Sequence, residues 1–341
     1  MKNSLVFLMM MVGMAATTQA QNLRVAEGRL VNRTDPTIVA DSTNLEVISL
    51  SGGMDIIRTA ATDTQGNFRI AGLPESVPLM LRAIYKGVNY HRMLNFDAEG
   101  NARLEFEVLE PTTSLKDIQV KSVTLAFQME NDHLHAIETW EIENQTTPSR
   151  VHLHPEGTFH ISKASGLSEL PTIRAAGAGA EMPLTQPALE SADGKSYYSR
   201  YPLRPGLTIF EVRQTLPYAD SKYVYARKFF MDTPEISIGV IPADMTLSGD
   251  GLVKTEINAE ENFAIYSGAA VKAGTEVSWT FSGGTPVTMA VSDAGNNGSE
   301  TTIMAKDGVI GRNALVIGPL LLLVLVVALW IACNRLPDGS R

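Results

Sequence analysis

The run LVIGPLLLLVLVVALWIAC, residues 315–333, is 19 residues long and contains no charged side chain. A helix rises about 1.5 Å per residue, so this run covers roughly the 30 Å of a bilayer's hydrocarbon core. The sequence therefore predicts a transmembrane helix over residues 314–333. The residues after it, 334–341, would form a short cytosolic tail.

The N-terminal residues have the pattern of a secretory signal peptide. Lys2 precedes an apolar run from Leu5 to Ala16, and Thr18-Gln19-Ala20 offers small residues for cleavage. We expect residues 1–20 to be removed, with an uncleaved anchor as the alternative. The bulk of the chain would then be extracytoplasmic, in a periplasm or at the cell surface, and a single span would hold it to the cell membrane.

Composition restricts the exported part further. The only cysteine is Cys333, at the cytosolic edge of the predicted span, so the exported part can form neither an intrachain disulfide nor a thiolate metal site. The net charge is −9, and no basic stripe or zinc-finger spacing is present, so nucleic acid is not an expected partner. Residues 286–312 are rich in Ser, Thr, Gly, Asn and Asp, which predicts a flexible stalk.

Alternating apolar and polar residues, separated by turn-forming residues, dominate from Leu23 onward and predict an all-β exported part. Within a first domain over residues 22–110, this pattern predicts strands at 25–31, 45–50, 79–85 and 102–108 and one that follows Asn67. Asp63-Thr64-Gln65-Gly66 predicts a tight turn in which Asp63 caps the backbone and Gly66 has a positive φ. A calcium site would need a more oxygen-rich spacing.

Several of these residues together resemble the carboxypeptidase regulatory-like domain. The matching pieces are Gly28-x-Leu30-Val31-Asn32, Thr62-Asp63-x-x-Gly66-x-Phe68, Gly72-Leu73-Pro74 and Ala83-x-Tyr85-x-Gly87-Val88-x-Tyr90. The resemblance implies a transthyretin-like β-sandwich, a fold used as an accessory module on unrelated proteins. The family is often classed with carbohydrate-binding-like folds, so Tyr85 and Tyr90 are candidate sugar-binding residues. The alternative is that both rings are structural.

A second β-domain is predicted over residues 115–285, as one large sandwich or two small ones. Its alternation predicts strands at 118–130, 133–143, 150–154, 207–216, 223–230, 235–241, 262–267 and 276–282, with Trp140 and Trp279 facing inward. The segments Tyr201–Gly206 and Thr215–Tyr218 resemble a region of bacterial membrane-anchored proteins that pair a regulatory-like domain with an Ig-like sandwich. That resemblance implies no catalytic residues.

Five of the six histidines are close in sequence, at positions 133, 135, 152, 154 and 160. If residues 144–149 connect a hairpin that pairs Glu143 with Arg150, His133 lies opposite His160, and His154 lies four residues from His135. That offset is about 13 Å at roughly 3.3 Å per residue, too far for one metal ion. A site formed by His133, His135 and His160 remains a hypothesis; the alternative is polar residues on the exposed face of a sheet.

The motifs in this sequence do not indicate an enzyme. His135-Ala136-Ile137-Glu138 matches the H-x-x-E letters of zinc carboxypeptidases, but on a strand the two residues point to opposite faces. The sequence also lacks a histidine beyond His160 that could be the distant third ligand. H-E-x-x-H, G-x-S-x-G, the P-loop and G-x-G-x-x-G are absent. We therefore expect a protein that is not an enzyme and needs no cofactor.

The first hypothesis for function is a noncatalytic, membrane-anchored accessory or scaffold protein that contacts an envelope protein partner through exposed sheet edges. The second is binding of carbohydrate or an envelope polymer by residues 22–110. The third is a periplasmic metal-binding protein that uses His133, His135 and His160.

Overall fold

The computed structural model describes residues 24–178 and 183–285. These residues form strands and loops, and their one helical element is a three-residue 3-10 turn at Ala219–Ser221, so the all-β prediction is confirmed for this part of the chain. No helix within the described ranges has the length and hydropathy needed to cross a bilayer. The predicted signal peptide, stalk, span and tail lie outside these ranges.

The chain divides into two compact units. The first contains residues 24–113 together with Thr146–Val151, and the second contains Ser114–Gln145 together with the described residues from His152 onward. The backbone therefore passes from one unit to the other three times, after residues 113, 145 and 151.

The first unit is built from a three-stranded and a four-stranded sheet. The three-stranded sheet has the order β4-β1-β7, in which β1 pairs antiparallel with β4 and parallel with β7. The four-stranded sheet has the order β3-β2-β5-β6. The bounds are β1 (Arg24–Asn32), β2 (Asn44–Ser49), β3 (Asp55–Ala61), β4 (Asn67–Leu73), β5 (Leu79–Tyr85), β6 (Val88–Met93) and β7 (Asn101–Val108), followed by the short β8 (Pro111–Thr112).

Close backbone packing in the three-stranded sheet requires a glycine in β1. Gly28 pairs with Phe68 on one side and Leu104 on the other. A Cβ atom at this position would lie 1.8 Å from the Leu104 carbonyl oxygen and 3.2 Å from the Phe68 Cζ atom. No side chain larger than hydrogen fits without moving one of the neighbouring strands.

The predicted turn at Asp63–Gly66 is confirmed. Gly66 has a φ of 80°, and an Asp63 carboxylate oxygen accepts hydrogen bonds from the Gln65 and Asn67 backbone N–H groups, each at 2.8 Å. These two bonds, that from Asn67 first, hold the pKa of Asp63 below its usual range. The carboxylate is therefore used to cap the turn.

The second unit has an eight-stranded sheet on one side of its core and two three-stranded sheets on the other. The large sheet has the order β14-β13-β17-β10-β9-β19-β22-β21, and the small ones are β12-β16-β15 and β18-β23-β20. The bounds are β9 (Ile118–Glu130), β10 (His133–Asn144), β12 (Phe159–Ser162), β13 (Thr172–Ala176), β14 (Leu184–Gln186), β15 (Leu189–Glu190), β16 (Ser196–Ser199), β17 (Gly206–Pro217), β18 (Lys222–Lys228), β19 (Ile236–Ile241), β20 (Met245–Ser248), β21 (Leu252–Asn258), β22 (Phe263–Gly268) and β23 (Glu276–Gly283). The short β11 (Val151–His152) begins in the first unit and belongs to none of these three sheets.

One hydrophobic cluster joins these three sheets. At its centre the Phe127 ring lies 5.2 Å from the Tyr225 ring and 4.5 Å from the Phe281 ring, measured between centroids. Trp140 and Trp279 are 5% and 2% exposed, so their predicted inward orientation is confirmed. Burial of each such side chain contributes about 1.5–3 kcal/mol relative to exposure.

The prediction of a hairpin that pairs Glu143 with Arg150 is wrong. The two-residue connection Asn131–Asp132 instead joins β9 and β10 in a hairpin, with His133 opposite Glu130. The other side of β10 pairs with β17 along its whole length. Because both sides of β10 are paired in this way, the chain after residue 145 leaves the sheet and enters the first unit.

We predict that Gly28→Ala destabilises the first unit by more than about 3 kcal/mol, because the new methyl group overlaps the Leu104 carbonyl. Gly239→Ala is the matched control, since a Cβ atom on this other strand glycine would meet no atom within 4 Å. Urea unfolding followed by circular dichroism measures both changes. Equal, small effects of the two substitutions would contradict the proposed close approach.

Candidate functional site

The three histidines of the metal hypothesis are not brought together by the described structure. His133 and His135 lie on β10, where the His133 imidazole contacts Asp132 at 2.7 Å and the His135 imidazole contacts Glu130 at 3.1 Å. His160 lies on β12 in a different sheet, paired with Tyr198. Among the residues that the structure describes, no group of three or more His, Cys, Asp or Glu side chains could hold a metal ion.

The register that placed His133 opposite His160 is therefore incorrect, and the geometric reason for a three-histidine site is lost with it. The alternation of exposed and buried side chains along β10 is as the sequence predicts. His133 is exposed and His135 is partly exposed, whereas Leu134 and Ala136 are buried. These two histidines lie on the outer face of the large sheet.

Tyr85 and Tyr90, the candidate sugar-binding residues, are only 4% and 8% exposed. The Tyr85 hydroxyl donates to the Glu110 carboxylate at 2.6 Å, and the Tyr90 hydroxyl donates to the Leu109 carbonyl at 3.1 Å. A sugar ring needs an open aromatic face, so the structure offers no support for a sugar site at either residue.

Glu110 is the centre of a polar network in the first unit. Besides the Tyr85 hydroxyl, its carboxylate accepts hydrogen bonds from the Asn32 amide at 2.8 Å and the Lys86 ammonium at 2.6 Å. Burial by itself would raise the pKa of Glu110, but the bonds from Lys86, Tyr85 and Asn32 outweigh it and lower that pKa. The carboxylate is therefore stabilised in its charged form.

A second network, not predicted from the sequence, lies in the core of the second unit around Glu138. This side chain is fully buried on β10, and its carboxylate accepts hydrogen bonds from the Trp140 indole at 3.1 Å, the Gln214 amide at 2.8 Å and the Tyr225 hydroxyl at 2.9 Å. Arg227 on β18 completes the set with a direct ion pair.

The electrostatics of this network favour a permanent ion pair. Burial alone would lower the pKa of Arg227, but the charge and hydrogen bond of Glu138, together with Tyr225 and Tyr223, outweigh it and raise that pKa. Burial raises the pKa of the Tyr225 hydroxyl well above 10.0, so this group stays protonated and donates. The other guanidinium nitrogen of Arg227 donates to the Ser162 carbonyl at 3.1 Å. Every contact is internal, so the network stabilises the core and offers no surface to a ligand.

One recess on the surface of the second unit is a groove of about 580 Å³ beside the start of β9. From Val123 onward, β9 pairs in parallel with β19, but residues 118–122 have a described ladder partner only in β10. Two features separate β9 from the chain that leads into β19. Lys121 forms a bulge in β9, opposite the register step between Glu141 and Ile142 of β10. Pro234, just before β19, has no backbone N–H to donate.

The walls of this groove are mostly apolar. They are formed by Leu115, Lys116, Ile118, Gln119, Val120, Phe230, Met231, Asp232, Thr233, Pro234, Ala270, Val271, Lys272 and Ala273. The Lys272 ammonium pairs with Asp232 at 2.9 Å on the rim. Hydrogen bonds from the Ala273 backbone and from Lys272 hold the pKa of Asp232 below its usual range, so it remains a fixed negative charge. Such a lining suits binding of an apolar chain better than proton transfer.

Comparisons with known proteins assign no family. No protein-family model matches the chain, and no curated protein sequence matches it. A crystal structure of a 9R-lipoxygenase from Cyanothece PCC8801 is similar over 29% of this chain and 18% of that chain, at 18% identity and a TM-score of 0.20. The similarity is too weak and too partial to support an argument about fold or activity.

We predict that Arg227→Leu and Glu138→Leu each destabilise the second unit by about 3–5 kcal/mol, because each leaves one buried charge without its partner. The double variant should lose several kcal/mol less than the sum of the single variants. Denaturant unfolding of all four proteins gives this coupling energy.

Lys272→Leu is the control, since Lys272 and Asp232 are 84% and 64% exposed and their pair should contribute less than about 1 kcal/mol. Additive effects at residues 138 and 227 would show that the two side chains do not interact as described.

We further predict that Glu110 makes stability depend on pH. Its pKa is lowered on folding, so its contribution is fully present above the ordinary value of 4.5 and is lost as the pH falls through the folded-state pKa. Glu110→Gln should reduce the loss of unfolding free energy between about pH 5 and pH 3. When Lys86→Met is added to the Glu110→Gln variant, the pH dependence of stability should not change further. An unaltered pH profile in Glu110→Gln would refute the role of this carboxylate.

Proposed function

We propose that this chain is a noncatalytic, membrane-anchored extracytoplasmic protein that binds a partner protein through its β-sandwich modules. The observation that carries the proposal is the groove in which the backbone of residues 118–121 has a ladder partner on one side only. An exposed strand edge binds an extended segment of another chain by main-chain hydrogen bonds.

The chemistry of the groove defines the partner segment. A strand that adds beside β9 would place every second side chain against the buried surface of Ile118, Val120 and Val271. Lys116 on the same wall is exposed, and it takes part in no ion pair among the described residues. The expected partner is therefore an extended segment with alternating apolar residues and an acidic residue near one end.

The proposed location follows from the sequence. The signal peptide over residues 1–20 and the span over 314–333 would hold residues 21–311 outside the cell membrane. For the folds, the seven main strands of the first unit support a transthyretin-like sandwich, and the three sheets around one core in the second unit support an Ig-like sandwich.

Site-specific photo-crosslinking in native membranes tests the proposal. A photoreactive residue at Gln119, which is exposed and lines the groove, should form an adduct with one defined extended segment of another protein. The same residue at Thr246, exposed on β20 and outside the groove, should not. A synthetic peptide of the captured segment should then bind the purified chain.

Ala273→Trp should weaken that peptide's affinity at least about tenfold, because an indole on the exposed Ala273 fills the groove. Ala269→Trp, in the same exposed loop but outside the lining, is the matched control. Adducts that are identical at Gln119 and Thr246, or a peptide that binds the Ala273→Trp variant normally, would overturn the proposal.

A further inference from the structure

Three partly exposed aromatic rings lie in a row on the outer surface of the second unit. His160 on β12 and Tyr198 on β16 are direct cross-strand partners, with ring centroids 5.6 Å apart. Phe230, just after β18, is the second aromatic neighbour of His160, at a centroid distance of 5.3 Å. The residues that flank them in sequence, Phe159, Ile161, Tyr197 and Phe229, are buried, so alternation directs the three rings away from the core.

A cation lies at each end of this row. The Arg200 guanidinium is 5.6 Å from the Tyr198 ring centroid, and the Lys228 ammonium is 5.7 Å from the Phe230 ring centroid. Both side chains are exposed, and within the described ranges neither forms an ion pair with a carboxylate. We call these five residues, Arg200, Tyr198, His160, Phe230 and Lys228, the aromatic–cationic strip.

The loop beside the strip fixes two of its rings. Gly157 has a φ of 112°, and a Cβ atom there would lie 2.7 Å from the Tyr198 Cδ2 atom and 2.9 Å from the His160 Nε2 atom. The loop backbone therefore packs directly against both rings. Rings held in place by backbone contacts lose little freedom when a ligand binds.

We propose that the aromatic–cationic strip binds an acidic polysaccharide. The C–H faces of pyranose rings are apolar and pack on aromatic surfaces, while the two cations can bind carboxylates on separate sugars of one chain. Two charges of the same sign, separated by three rings, fit a polymer with repeated acidic groups and intervening apolar faces. This site is separate from the proposed peptide groove in its chemistry, although Phe230 belongs to both.

Titration of the full chain in detergent with polygalacturonate oligosaccharides tests this site. We expect binding that weakens with added salt, and Arg200→Ala, Lys228→Ala and Tyr198→Ala should each reduce the affinity at least about fivefold. Tyr198→Phe keeps the ring but removes the hydroxyl that accepts a hydrogen bond from Arg200 at 3.3 Å, so its affinity should fall much less than that of Tyr198→Ala. It also keeps the test valid if Tyr198→Ala does not fold.

Lys222→Ala is the matched control, because Lys222 is an exposed cation on the same strand as Lys228 but has no described ring contact. Absence of polygalacturonate binding, or an equal loss in Lys222→Ala, would overturn the inference. So would equal binding of poly-glutamate, since this polymer carries the charge without the sugar faces. Arg200→Ala should leave binding of the captured peptide intact, since Arg200 does not line the groove, and this result separates the two sites.

Discussion

The buried ion pair between Glu138 and Arg227 constrains the rest of the second unit. It joins β10 of the large sheet to β18 of the opposite layer, and each charge is tolerated in the core only because the other is present. A shift of either strand by one residue would turn one charge outward and leave the other unpaired. Lys228 and Phe230 come one and three residues after Arg227, so the register fixed by this pair also positions residues of the groove and of the aromatic–cationic strip.

Much of the strand structure could be predicted from alternation, because long strands with one buried face repeat their pattern many times. The prediction of a strand at 118–130 matches β9 at both ends, and Trp140 lies inward as expected. The short strands β12 and β13, of 4 and 5 residues, were not predicted, since so few positions give no clear period. The pairing of β10 also could not be read from the histidines, because local spacing does not show which distant strand comes alongside.

The candidate sites differed in how strongly the sequence indicated them. The sequence did contain a signal for the Glu138 network: Glu138, Gln214 and Arg227 occupy inward positions of apolar strands, where a polar residue needs a buried partner. The groove had no such signal, because it depends on where a bulge and a proline meet across two strands that are far apart in sequence. Tyr85 and Tyr90 show the opposite case, in which a family resemblance drew attention to rings that the core already uses.

The three passages of the backbone between the units affect how the protein can be divided. The hydroxyl of Thr34 in the first unit donates to the carbonyl of Ser149, and the Val151 N–H donates to the Glu110 carbonyl. A fragment that ends at residue 113 lacks both of these partners. By the same topology, a single proteolytic cut after residue 113 would break the only covalent link between residues 24–113 and the chain that follows, yet Thr146–Val151 would stay attached to the second unit and hold the two pieces together by hydrogen bonds such as these.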